Sequence, residues 1–244
     1  MARPTFERPG PHFRRPGNTG TSRTDHAIVF PRGARPGAGG EPWGFPAAKS
    51  TDSISRYAAE HFGGFDFSGI TVTAPTRTFT GRQEMNVGGV TVELVDLGPG
   101  HSAGDVALRV PDDGIVFAGA MLFDGGHMIV WSGSPAACID SVDVPLARGA
   151  ETFVPGHGAL MGAEVRDFRA YLTEVQAAAT AWARDGLPLS QAAARVHAEF
   201  AGDRAHPERL FTATAGTYAD AGLAEALATL DLVKGMADLA RLPV

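Results

Sequence analysis

The chain has 244 residues, of which 44% are hydrophobic and 20% charged, a balance that suits one globular α/β domain with an extension. A formal net charge of −6 argues against a nucleic-acid binder, and no apolar run approaches the ~20 residues needed to span a membrane. With Cys138 as the single cysteine there is no intramolecular disulfide; the arginine-rich start lacks the apolar stretch of a secretory signal, so a cytoplasmic location is expected.

Residues 1–46 hold eight of the 17 prolines and seven arginines against three acids, Glu7, Asp25 and Glu41. Neither strand nor helix periodicity survives there, apart from the short apolar run Ala27-Ile28-Val29-Phe30, so the segment is expected to be irregular. The remainder carries 14 basic and 24 acidic residues and has the texture of a folded protein. Thr51 to Phe62 reads as a short helix stopped by Gly63-Gly64, and Ile70 to Thr73 as the start of a strand. Val87 to Val95 reads as a hairpin with Gly88-Gly89 at its turn. Asp105 to Val110 and Gly114 to Ala118 read as a strand pair joined through Pro111-Asp112-Asp113-Gly114, and Met128 to Trp131 as one more short strand. Beyond His157 the period becomes helical: Val165, Phe168, Leu172, Val175, Ala179 and Trp182 form one apolar stripe, closed by Gly186-Leu187-Pro188. Ser190 to Phe200, Pro207 to Tyr218 and Leu223 to Leu242 supply further helices. Strands followed by helices, with His and Asp in the loops, predict a layered α/β fold. The expected divisions are an irregular segment 1–46, a domain 47–162 and a helical extension 163–244.

Two segments point to chemistry, Gly100-His101-Ser102-Ala103-Gly104-Asp105 and Val154-Pro155-Gly156-His157-Gly158. Each puts a histidine on a glycine-rich turn at a strand end, where the strand fixes position and the glycines permit close approach to a metal. Taken singly, either histidine reads as a solvated turn residue; the pair carries the signal. His61, His197 and His206 fall on predicted helices or caps and read as surface or capping residues. Cys138 reads as a small buried apolar residue. Trp131 and Phe123 read as core residues or as the lining of an apolar substrate pocket, and Asp105 as a residue that orients its loop or a ligand histidine.

These segments, with Pro75-Thr76-Arg77-Thr78-Phe79, Val92-Glu93-Leu94 and Val116-Phe117-Ala118-Gly119, follow one another in an order that resembles the metallo-β-lactamase superfamily over residues 62 to 160. The helical tail, through Tyr171-Leu172, Val175-Gln176, Leu189, Ala192-Ala193 and Arg209-Leu210, is similar to the branch that contains the actinorhodin-type aromatic polyketide cyclases. The resemblance implies an α/β fold of the αβ/βα sandwich kind, lacking its N-terminal strands here and followed by a C-terminal helical extension. It also implies zinc at the edge between the sheets, which acidifies a bound water and polarises a carbonyl.

Carried over residue by residue, the implied metal site is incomplete. The family's first motif is His-x-His-x-Asp-His; in Thr21-Ser22-Arg23-Thr24-Asp25-His26 only the last two residues match, and Thr21 and Arg23 replace the leading histidines. His101 and His157 match later ligands, while Ala120 stands where a bridging Asp belongs. One position keeps His101 alone; the other keeps Asp25, His26 and His157. The resemblance therefore implies at most one zinc ion, ligands Asp25, His26, His101 and His157, a catalytic role for Asp25, and a substrate contact at His127. Three accounts of the N-terminal departure stand open: a degenerate relative, a reading frame altered upstream of about residue 46, or genuine loss of the strands. The abrupt change of composition favours the second.

The functional expectation is a metal-dependent hydrolase-like enzyme for an ester or thioester, a small-molecule or carrier-bound acyl substrate, with aromatic polyketide cyclisation as its narrower form. The competing expectation is a binding or scaffold protein that keeps the fold without metal. No nucleic-acid or membrane partner is expected, and the oligomeric state is left open.

Overall fold

In the computed structural model, which describes residues 29–31, 77–102, 104–131, 133–224 and 232–242, the Gly88-Gly89 pair turns β3 (Arg82–Val87) into β4 (Val90–Gly98). Both glycines have positive φ, 60° and 93°, the backbone of a tight turn whose twist matches that of the strands it joins. Antiparallel pairing continues to β5 (Asp105–Val110) and through Pro111–Asp113 to β6 (Ile115–Phe123), as the alternation and turn residues predict. β7 (Thr152–His157) then joins β6 in parallel and completes a five-stranded sheet of order β3-β4-β5-β6-β7.

A parallel neighbour needs a crossover, and helix α1 (Pro135–Leu146) supplies it. This helix is not among the sequence expectations. Its start is marked all the same: Ser134 caps it by accepting a hydrogen bond from the Ala137 amide, and proline stands at the first turn, where its missing N–H is no loss. α2 (Glu164–Arg184) buries the predicted stripe, with Val165, Phe168, Leu172, Val175 and Ala179 inside and Trp182 partly covered. α3 (Leu189–Phe200), α4 (Leu210–Asp220) and α5 (Leu232–Leu239) follow. Among the described residues no helix is long and apolar enough to cross a membrane.

The core lies between the sheet and the helices, around Val116, Leu122, Phe153, Phe168 and Leu210. Cys138 is fully buried within it, as expected. Glu93 enters the helix-facing side of β4 because three guanidiniums meet it there: Arg82 at 2.6 Å, Arg109 at 3.5 Å and Arg148 at 3.6 Å. Burial pushes its pKa up, but the hydrogen bond from Arg82 and the three positive charges outweigh burial and hold it below the ordinary value.

Several expectations need correction. Met128 to Trp131 is not a strand: its polar groups pair with loops and side chains, Val130 N with Thr212 Oγ1 (2.9 Å) and Trp131 N with the His101 carbonyl (2.9 Å), so no ladder is available to it. The last helix is shorter than Leu223 to Leu242, since Gly222, at φ 68°, and the Leu223 amide bonded to the Tyr218 carbonyl end α4 in a turn there. His197 is buried at 2% exposure on the inner face of α3, where the 3.6-residue period sets it beside Ala193 and Val196, rather than lying on the surface. Within 1–46, the apolar run contributes β1 (Val29–Pro31), paired in parallel with β2 (Arg77–Phe79). The helix expected at Thr51 to Phe62 and the strand expected at Ile70 to Thr73 lie outside the described residues.

Candidate functional site

His101 sits in the loop between β4 and β5, and three sets of contacts hold it. Its Nδ1 lies 2.7 Å from the Ile129 carbonyl, which accepts only, so Nδ1 carries the proton and the Nε2 lone pair is left for a ligand. Its own carbonyl accepts from the Trp131 amide at 2.9 Å. Buried Asp105 gathers the Ser102 amide at 3.1 Å and the Ser102 hydroxyl at 2.5 Å, which ties down the turn beyond it. The loop also approaches Gly133 so closely that a Cβ there would stand 2.6 Å from the Gly100 carbonyl oxygen.

His157 ends β7 opposite Phe123, and the Asp124 amide donates to its carbonyl at 2.9 Å. Gly158 follows at φ 96°, where a Cβ would collide with the Asp124 carbonyl oxygen, so the turn past His157 admits glycine alone. The His157 ring stacks on Phe123 with centroids 4.3 Å apart and planes 14° from parallel, and the His101 ring lies 6.1 Å from the same phenyl. Phe123, 1% exposed, is thus the floor on which two histidines, far apart in sequence, converge. Burial lowers the His157 pKa, with Arg209, His101 and His206 adding to the shift, and favours the neutral, ligand-competent ring.

Arg209 comes to the same floor from the helical tail, its guanidinium carbon 5.6 Å from the Phe123 centroid and its Nη1 donating to the His127 carbonyl at 3.2 Å. Neither Arg209 nor His206 had stood out in the sequence as a site residue. The convergence that brings Arg209 there is long-range, and no local motif announces it.

His127 takes a different post from the substrate contact expected of it. The ring is fully buried: Nε2 donates to the Ala201 carbonyl (3.1 Å), so Nδ1 accepts from the Tyr171 hydroxyl (2.5 Å), and no ring nitrogen remains for a substrate in this arrangement. Burial pushes its pKa below the ordinary value of 6.5, with Arg204 adding to the shift. A proton is then taken up more readily on unfolding, so this contribution to stability is full above pH ~6.5 and lost as pH falls below it. The unfolding free energy is expected to drop between pH 7.5 and 5.5, and less steeply in His127→Gln, by denaturant titration of both chains. Equal slopes would show that His127 does not couple folding to protons. Trp131 is half-buried against the core, with its backbone on the His101 loop.

Asp25 and His26 lie outside the described residues. Among the described ones no three of His, Cys, Asp and Glu cluster closely enough to hold a metal ion. Ala120, half-buried in β6 beside Gly156, adds no donor where the resemblance expects a carboxylate. Two imidazoles fall short of the three protein ligands that a catalytic zinc normally takes, so zinc fits here only if residues outside the described ones complete the set.

A model of the protein family described as the metallo-beta-lactamase superfamily matches residues 25–157, a span that opens on Asp25 and closes on His157. Among solved structures, the chain is similar to a metallo-beta-lactamase from Pontibacter korlensis (22% identity, 49% of this chain and 54% of that one, TM-score 0.37). It is similar to a metallo-beta-lactamase family protein from Thermus thermophilus (17% identity, 72% and 62%, TM-score 0.48). A stereoselective inverting sec-alkylsulfatase from Pseudomonas sp. aligns at 15% identity over 62% and 27% of the two chains, with a TM-score of 0.47. The chain therefore spans about half the length of the first of these and about a quarter of the last. No curated protein matches.

Proposed function

Because the chain belongs to the metallo-β-lactamase superfamily, we propose that it is a metal-dependent hydrolase-like enzyme acting on an ester or thioester. The observation that carries this reading is the convergence of His101 and His157 on Phe123, with the Nε2 of His101 left without a protein partner among the described residues. Asp25, His26 and His157 would hold one zinc ion, and His101 would stand beside it. When bound, zinc lowers the pKa of its water toward neutrality and polarises the carbonyl under attack. The contribution of this chain is to fix the imidazoles: a backbone carbonyl sets the His101 tautomer, and the stack on Phe123 sets the plane of His157. Asp25 is the proposed acid–base residue, and Trp131 the proposed apolar wall. The narrower form of the proposal is ring closure of an aromatic polyketide, with or without thioester cleavage; it rests on the likeness of the tail motifs alone.

A second reading, a binding protein of the same fold that works without metal, is favoured by one observation: the described residues supply two imidazoles, and Ala120 adds no carboxylate. Zinc content of protein purified without chelator, together with turnover of p-nitrophenyl acetate, separates the two. The hydrolase reading expects at most about one zinc per chain, lost along with turnover in His157→Ala. Two tightly held zinc ions would overturn the ligand assignment. No zinc and no turnover would leave the binding protein.

A further inference from the structure

Resting on the hydrolase reading, we infer that Arg209 receives a negatively charged oxyanion group of the substrate, which narrows the substrate class to acidic esters or thioesters. The guanidinium shares the Phe123 floor with both histidines. It is half-buried, yet no carboxylate oxygen of the described residues lies within ion-pair distance of it. The neighbouring acid, Glu208, turns instead to His206 Nδ1 at 3.3 Å. Of the five N–H donors of the guanidinium, one is taken by a described protein atom, the His127 carbonyl at 3.2 Å. Burial disfavours this cation and lowers its pKa, a cost that an arriving oxyanion would offset by charge-assisted hydrogen bonding.

The placement is rigid. Thr212 Oγ1 donates to the Arg209 carbonyl at 2.7 Å and accepts from the Val130 amide at 2.9 Å. Val130 lies between Ile129 and Trp131, the two residues whose backbones hold His101. Arg209 and His101 are therefore anchored on one short segment, the kind of shared support that a binding constellation needs. Three residues before Arg209, His206 adopts φ 65° and ψ 53°, the one left-handed non-glycine among the described residues, and the chain turns there into Pro207–Arg209. The charge that attracts an anion here is the Arg209 guanidinium itself, set on the same phenyl floor as the two imidazoles.

Calorimetric binding of glutarate, methyl phosphate and neutral glutaramide to the full chain tests the inference, with zinc content measured in every sample. Glutarate or methyl phosphate is expected to bind, glutaramide at least about tenfold more weakly, and Arg209→Gln is expected to weaken the anion by about tenfold or more at unchanged zinc content. Whichever anion binds identifies the group as carboxylate or phosphate. Equal binding of glutarate and glutaramide, binding of neither anion, or unchanged anion binding in a folded Arg209→Gln chain would overturn the assignment. If that variant does not fold, the comparison of charged with neutral probe in the unaltered chain decides it. Turnover of p-nitrophenyl acetate by the unaltered chain tests the hydrolase reading separately. Turnover without anion binding sinks only the role of Arg209; Arg209-dependent anion binding without turnover sinks only the hydrolase.

Discussion

Phe123→Ala is expected to lower the unfolding free energy by about 3–5 kcal/mol, the usual cost of removing a fully buried phenyl ring. The ring is 1% exposed and belongs to the main core, so the transfer and cavity costs are both due. Its loss also reaches the site. His157 stacks on it at 4.3 Å, His101 lies 6.1 Å away and Arg209 5.6 Å away, so one side chain spaces three candidate functional groups. With the floor gone, the His157 ring is free to turn, and zinc or anion affinity should fall beyond what the lost stability explains. Urea unfolding measures the first effect. Zinc content and glutarate binding, measured where the variant is still folded, measure the second. Phe123→Leu refills most of the volume and should recover much of the stability while leaving the aromatic stack broken. If Phe123→Leu holds zinc and glutarate as the unaltered chain does, the ring is packing alone.

Gly133→Ala is expected to cost about 1–3 kcal/mol and to move the His101 loop. The added carbon would stand 2.6 Å from the Gly100 carbonyl oxygen, 2.8 Å from Gly100 Cα and 3.0 Å from the Pro99 carbonyl oxygen. These are backbone atoms that cannot swing aside, so the Pro99-Gly100-His101 stretch or the start of α1 has to shift. A shift of the loop pulls on the 2.7 Å bond from His101 Nδ1 to Ile129, which sets where Nε2 points. Gly126→Ala is the matched control, because its Cβ would meet only the Ala205 carbonyl at 3.6 Å, an ordinary contact. Thermal melts and histidine ring NMR shifts of both variants check the claim. Equal melts, with the His101 resonances unmoved in Gly133→Ala, would show that the loop yields without cost.

The elements that were legible from residue order are those whose signals are local. Gly88-Gly89 marks a tight turn, and Pro111 to Gly114 marks another, whatever the rest of the chain does, because backbone conformation at those positions is a property of the residue types. The α2 stripe is equally local: Val165, Phe168, Leu172 and Val175 fall on one side of any helix drawn through them, and that side is the buried one. Helix α1 was missed because its apolar residues, Cys138, Ile139 and Val142, share a short segment with two aspartates and Pro145, which blurs the period. The informative signal was the Ser134-Pro135 start. Met128 to Trp131 has strand-like composition, yet its partners turned out to be Thr212 and the His101 loop, and composition does not name partners.

The same division runs through the site. His101 and His157 could be picked out because glycine-rich turns at strand ends present side chains, and that pattern is written in consecutive residues. Phe123 as their common floor, the burial of His127 between Tyr171 and Ala201, and the arrival of Arg209 from the helical tail are contacts between distant stretches of chain. Arg209-Leu210 stands among the tail motifs, but nothing in the residues around Arg209 says that its guanidinium reaches the two histidines. Its position follows from how α4 packs on the segment that holds His101, through Thr212 and Val130. Local sequence limits the backbone to a few conformations; which side chains then meet depends on the packing of whole elements, where the free energy is shared among many weak contacts and no single residue type announces the outcome.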